Sequence, residues 1–154
     1  MTAVSARLAE LGIDLPAVPA PLAAYVPAVR HGDMVFTSGQ LPLVDGALPQ
    51  TGIVGADVTP EEATELARVC TLNALAAAAA VAGGVDNIER IVKVVGFVAS
   101  TPDFTGQPAV INGASNLLGE IFGENGEHAR AAVGVAALPN GAPVEVTLDV
   151  VVRD

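Results

Sequence analysis

Cysteine, histidine and basic residues are all scarce in this sequence, and each scarcity removes a class of function. The single cysteine, Cys70, has no partner for an internal disulfide, and His31 and His128 are too few and too far apart to suggest a zinc or iron site. No metal and no cofactor is expected. Seven basic residues stand against seventeen acidic ones, a formal net charge of −10, so the chain repels a phosphate backbone and carries no basic cluster to offset this. Nucleic acid is not an expected partner. Long apolar runs are missing too: the longest uncharged stretch, Val69 to Val85, is alanine-rich, falls short of about 20 residues and contains Asn73, so no membrane span is expected. Glu10 and Asp14 precede the apolar LPAVPAPLAAYVPAV, which proline breaks repeatedly. No secretory signal is therefore expected, and a cytoplasmic location is the expectation.

What is present is apolar surface. Half of the 154 residues (51%) are apolar, 16% are charged and the mean hydropathy is +0.53. The length suits one domain with one core, residues 1–154, and the excess of apolar residues reads as buried subunit surface.

Along the chain, residues 1–22 read as a short helix from Val4 to Leu11 followed by a Pro-rich arm that wraps the domain. YVPAVRHGDMVFTSGQ reads as two strands around a Gly32-Asp33 turn, and residues 41–58 as a loop. TPEE at 59–62 combines a capping threonine, a proline at the first helical position and a glutamate three residues after the cap, opening a helix that ends before Gly83-Gly84. Leu66, Val69, Cys70 and Ala77 share one face of it, so Cys70 is read as core in preference to a nucleophile. Asn73 receives no role. IVKVVGFVAS, 91–100, is apolar on both alternating faces, as in a central strand covered on both sides. Val110, Ala114, Leu117, Leu118 and Ile121 form the stripe of a second helix, Pro108 to Phe122, with Asn112 on its polar face. The order of elements implies an α+β fold, a mixed sheet with two helices on one face.

One segment raises a question of charge. HARAAVGVAALPNGAPVEV, 128–146, is almost wholly apolar, yet it carries Arg130 near its start and Glu145 near its end. Alternation places Val133 and Val135 on one face and Arg130, Ala132 and Gly134 on the other; it also places Val144, Val146 and Leu148 on the core side, with Glu145 opposite. The expectation is that both charges point away from the helices and that the small residues beside Arg130 admit another chain. A tight hairpin at Asn140-Gly141 would set Glu145 opposite Ala136, six positions and roughly 20 Å from Arg130. A shared site therefore requires that these strands are not paired neighbours, or that the charges meet across a subunit boundary.

Several of these residues together form a recognisable pattern: TSGQ at 37–40, Tyr25 thirteen residues before Ser38, DF at 103–104, Asn112 in VIN, and HAR…VGVAALP…VEV. Over about 20–153 the chain resembles the RidA (YjgF-type) imine/enamine deaminase family, and the N-terminal arm with FTGQPAVINGAS…HARAAVGVAALP resembles its longer bacterial branch. The resemblance implies a chorismate-mutase-like sheet with two helices, a homotrimer with sites between subunits, and last strands separated in the sheet. It implies hydrolysis of 2-imino or 2-amino-2-alkenoic acids to 2-oxo acids and ammonia. Arg130 would grip the substrate carboxylate and Glu145 would activate water, with Tyr25, Ser38, the Gly39 amide, Asn112 and the Ala132 carbonyl lining the pocket. Where short-branch members have proline-alanine-arginine-serine-cysteine, this chain has His128-Ala129-Arg130-Ala131-Ala132, so no thiol is available there.

Each reading has a plainer rival. Arg130 and Glu145 also fit a structural interface ion pair, Tyr25 a core or interface tyrosine, and His128 a loop or rim residue. Ser38 has no histidine-acid arrangement to make it a hydrolase nucleophile. The functional alternative is a non-catalytic homotrimer that binds a small carboxylate metabolite or a partner enzyme.

Overall fold

A computed structural model describes residues 2–154. The elements run α1 (Val4–Glu10), β1 (Ala28–His31), β2 (Met34–Thr37), α2 (Pro60–Ala82), β3 (Ile88–Ala99), α3 (Gln107–Phe122), β4 (Ala129–Val135) and β5 (Val144–Val152). The five strands form one mixed sheet in the order β1-β2-β5-β3-β4, in which only β3 and β4 are parallel. The long helices α2 and α3 cover one face, and α1 packs beside α3 through Leu8.

The local signals act as the sequence suggests. In the capping box that opens α2, the Glu62 amide donates to Thr59 Oγ1 and the Thr59 amide donates to Glu62 Oε1, both at 3.1 Å. Together they satisfy two of the amides that a helix start leaves without partners. Gly83 closes the helix in the left-handed conformation at φ 82°. Although α2 is, at 23 residues, long and apolar enough to cross a bilayer, it is a core helix whose apolar stretch is mostly buried within the protein. Cys70 is fully buried in it, and its Sγ donates to the Val144 carbonyl at 3.6 Å. Burial, reinforced by the negative charge of Glu145, pushes the thiol pKa well up, which suits a structural residue and not a nucleophile. The α3 stripe of Val110, Ala114, Leu117, Leu118 and Ile121 is buried in the same core.

The sheet corrects two expectations. β3 lies between β5 and β4, but in the single chain only its helix side is covered; Val95 and Phe97 on the other side are half-buried and Lys93 is exposed. That open face also carries Val29, Phe36 and Val133, exposed to 52%, 44% and 43%. The second correction concerns β4. Its register with β3 pairs Val94 with Arg130, Gly96 with Ala132 and Val98 with Gly134, and paired residues share a face. Val94 and Val98 belong to the core, so Arg130, Ala132 and Gly134 lie on the helix side, while Ala131, Val133 and Val135 look outward. Arg130 and Glu145 are thus on opposite faces, not the same one. Gly134 has a use within the chain, since a Cβ there would sit 2.7 Å from Gln107 Nε2 at the start of α3 and 2.9 Å from Ser100 Oγ.

Asn73 also acquires a role. It is 1% exposed, and its Nδ2 donates to the carbonyls of Leu41 and Leu43, each at 3.0 Å, pinning the start of the 41–58 loop to α2. Asn73→Ala removes both donors and leaves these carbonyls without a protein partner. We expect a loss of about 2 to 3 kcal/mol in urea denaturation at fixed protein concentration. A change below about 0.5 kcal/mol would mean that the loop does not depend on this anchor.

Candidate functional site

The candidate residues fall into two groups on one chain. The first surrounds Arg130. From the outer edge strand β4, its guanidinium reaches back over the N-terminal half of α3, where Nη1 donates to Asn112 Oδ1 at 2.8 Å and Ser115 Oγ at 3.2 Å, and Nη2 to the Pro108 carbonyl at 3.4 Å. All three acceptors are neutral oxygens. Among the described residues no carboxylate pairs with Arg130, whereas Arg7, Arg30 and Arg68 each have one. Arg130 is exposed, so its charge is both uncompensated and reachable. Ala132 lies two residues further along β4, half-buried against the core.

The second group surrounds Glu145, on the open face of the central strand β5. Gly39 sits beside it, because the chain leaves the regular β2 ladder after Thr37 and returns to β5 through a bridge between Gln40 and Val146. The Thr37 hydroxyl accepts from the Leu148 amide at 2.9 Å within this irregularity. A Cβ on Gly39 would lie 2.7 Å from Glu145 Cδ, so glycine is what admits the carboxylate here. Ser38 belongs to the same turn; its hydroxyl donates to the Val26 carbonyl at 2.6 Å, holding the arm so that Tyr25 and Gly39 line one small pocket with Leu22 and Leu43. The Tyr25 hydroxyl accepts from the Leu22 amide at 3.2 Å.

Within one chain the two groups do not meet. Arg130 is level with Val94 and Leu148, while Glu145 is level with Phe97, so they stand two strands apart and three residues offset. That is about 14 Å of backbone separation, on opposite faces. Strands β4 and β5 are not a hairpin, since β3 runs between them and Asn140-Gly141 forms a short 3-10 turn. An apolar cavity of about 480 Å³ between the Pro-rich arm and α2 contains none of the candidate residues.

Electrostatics single out Glu145. Burial pushes its carboxyl pKa above the ordinary glutamate value, and among the described residues its carboxylate has neither a hydrogen bond nor an ion pair to offset this. Asp149, on the same face, is raised for the same reason, with Lys93 acting partly against it. Among the described residues no three His, Cys, Asp or Glu side chains cluster as metal ligands. Sequence reasoning missed Ser115, which lies one helical turn beyond Asn112 and therefore on the same face of α3.

Comparison with known proteins agrees with this architecture. A family model described as "YjgF/chorismate_mutase-like, putative endoribonuclease" matches residues 5–148. Protein TCP17 of Trypanosoma cruzi is 48% identical over 144 residues, which span 93% of this chain and 90% of that protein. The 2-iminobutanoate/2-iminopropanoate deaminase of Salmonella typhimurium is 35% identical over 130 residues, 83% of this chain and 87% of the deaminase. Among solved structures, Atu1372 of Agrobacterium tumefaciens, a protein of unknown function, superposes with a TM-score of 0.88 at 46% identity, covering 98% of this chain and 93% of its own.

The raised Glu145 pKa has a consequence for stability. Between pH 4.5 and the higher folded-state value the native protein binds more protons than the unfolded chain, so the contribution of this residue to stability falls as pH rises through that window. At pH 7, above the ordinary carboxyl value, burying this group is a net cost. Glu145→Gln should therefore raise Tm at pH 7, and the gain should shrink toward zero below pH 4.5, where the wild-type carboxyl is neutral in both states. Thermal denaturation across that range checks it; an equal gain at every pH, or none at pH 7, would contradict the assignment of burial as the cause.

Proposed function

Because the chain belongs to the YjgF/RidA family, with its chorismate-mutase-like fold, we propose that it is a cofactor-independent deaminase that hydrolyses 2-imino and 2-amino-2-alkenoic acids to 2-oxo acids and ammonia. The observation that carries this reading is the uncompensated guanidinium of Arg130, held from behind by neutral oxygens and open in front. Such a fork suits a planar carboxylate, in a charge-assisted contact worth about 1.5 to 3 kcal/mol. The relatives named for 2-iminobutanoate and 2-iminopropanoate supply the substrate class. A net charge of −10 argues for a small anion met at one cationic point and against a polyphosphate chain.

The chemistry needs little beyond position and one base. With the carboxylate on Arg130, the adjacent imine carbon is already electrophilic, so binding orients it and no covalent nucleophile is required. Glu145 holds a water and takes its proton as the oxygen bonds to that carbon. The same proton passes to the nitrogen of the resulting carbinolamine. The hydroxyl proton then passes by way of Glu145 to the amino nitrogen, so that the C–N bond breaks with ammonia leaving and the 2-oxo acid remaining. An enamine first takes a proton on its β-carbon and then follows the same route. A carboxylate whose pKa is raised by burial is a stronger base than an ordinary glutamate, which favours this role. Tyr25, Ser38, the Gly39 amide, Asn112 and the Ala132 carbonyl line the pocket in this reading.

Since Arg130 and Glu145 stand on opposite faces of one sheet, the site they form is assigned to the boundary between neighbouring copies in a homotrimer. The apolar open face around Phe36, Phe97 and Val133 and the free edge of β4 support such packing. The rival reading, a homotrimer that binds a carboxylate metabolite or partner enzyme without turnover, uses Arg130 but has no need of a base at Glu145.

Kinetics with 2-iminobutanoate generated in place by an amino-acid oxidase separate these readings. Arg130→Lys keeps the charge but loses the two-pronged grip, and should lower kcat/KM about tenfold or more with assembly intact. Glu145→Gln should bind 2-oxobutanoate as the wild type does while turnover falls about a hundredfold. Intact binding by a wild type that never accelerates ketoacid release would favour the non-catalytic reading.

A further inference from the structure

The hydrogen bonds behind Arg130 continue past Ser115. Ser115 Oγ lies 2.8 Å from Nε2 of His128, and Nδ1 of the same ring lies 2.6 Å from the Gly126 carbonyl. The donors follow from the chemistry of the groups. A carbonyl only accepts, so Nδ1 carries the ring proton; a guanidinium only donates, so Ser115 Oγ accepts from Arg130. In the neutral imidazole Nε2 is then an acceptor, to which the Ser115 hydroxyl donates. The result is one directional chain, from Arg130 through Ser115 and His128 to the backbone at Gly126, in which no donor faces a donor.

We propose that Ser115 and His128 are positioning residues that fix the rotamer of Arg130, so that its fork is already aimed when the substrate carboxylate arrives. This rests on the reading of Arg130 as the carboxylate anchor. The need for such fixing is physical. Arg130 is a long, exposed side chain on an edge strand, and an unrestrained arginine must be ordered on binding, at a cost in rotamer entropy that lowers affinity. Its neighbours on β4, Ala131 and Ala132, have no polar side-chain atoms, so all the polar side-chain contacts that hold it come from Asn112 and Ser115 of α3. Ser115 is a short residue with freely turning hydroxyl, and it can hold a fixed orientation toward Arg130 only if its own proton has a destination. His128, half-buried and tied to Gly126, is that destination.

The test compares Ser115→Ala, His128→Leu and His128→Gln, the last of which retains an acceptor for the serine. Calorimetric titration with 2-oxobutanoate and steady-state kinetics with 2-iminobutanoate are read together. Ser115→Ala and His128→Leu should each raise Kd and KM about threefold to tenfold with kcat within about twofold, and His128→Gln should recover most of the loss. In an Arg130→Lys background, His128→Leu should add little, because the group it positions has gone. Unchanged Kd and KM in both variants of an active wild type, or an undiminished His128→Leu effect in the lysine background, would overturn the positioning role alone. A wild type that neither binds 2-oxobutanoate nor turns over would instead overturn the anchor reading, and this inference with it.

Discussion

The parallel pairing of β4 with β3 is the constraint from which the rest of the candidate site follows. By running alongside β3 and not folding back on β5, β4 becomes the outer edge of the sheet, under the N-terminal half of α3. The register that pairs Val94 with Arg130 turns the arginine to the helix side, within reach of Asn112 and Ser115. The same arrangement leaves β5 in the middle of the sheet, where Glu145 faces the side that no helix covers. The cation and the carboxylate thereby stand on opposite faces of the sheet and do not meet within a single chain.

That separation has an energetic logic. Arg130 is solvated and held by neutral oxygens, so its charge costs the fold little. Glu145 is different, because it is partly desolvated beside Gly39 and no partner among the described residues offsets its charge. The core of α2, α3 and the inner face of the sheet carries that cost, with Leu75, Ile91, Leu117 and Leu148 fully buried. Each such side chain contributes about 1.5 to 3 kcal/mol by leaving water, an ample margin for one strained carboxylate.

Much of this was legible in the sequence, and the rest was not for definable reasons. The Thr59 capping box, the Gly83 stop and the α3 stripe are local signals, and the structure carries each of them where the sequence places it. The outward face of Glu145 was legible as well, because VEVTLDV alternates apolar with polar residues. RAAVGVA offers less contrast: apart from Arg130 both faces are small or apolar, and a long arginine at an edge reaches solvent from either face. What decides is the register with β3, a strand distant in sequence, which sets Arg130 and Gly134 beside the core residues Val94 and Val98. Asn73 is another non-local case, since nothing in an alanine-rich helix announces that two loop carbonyls will dock on it. Ser115 was within reach of sequence reasoning, one turn from Asn112, but its value depends on knowing that Arg130 turns toward α3. The TSGQ, VIN and HAR elements pointed to the family through spacing, while the division of their residues into two separate groups needed the strand order.

The central claim is that a working site takes Arg130 from one copy and Glu145 from its neighbour. Its most direct measurement is the activity of a mixture of two inactive variants, Arg130→Ala and Glu145→Ala, after unfolding and refolding together. In a cyclic trimer each mixed assembly regains about one complete site in three, so an equal mixture should recover about a quarter of wild-type activity. If subunit exchange is demonstrated and the mixture stays as inactive as its parts, the two residues do not complement each other across a boundary and the account fails.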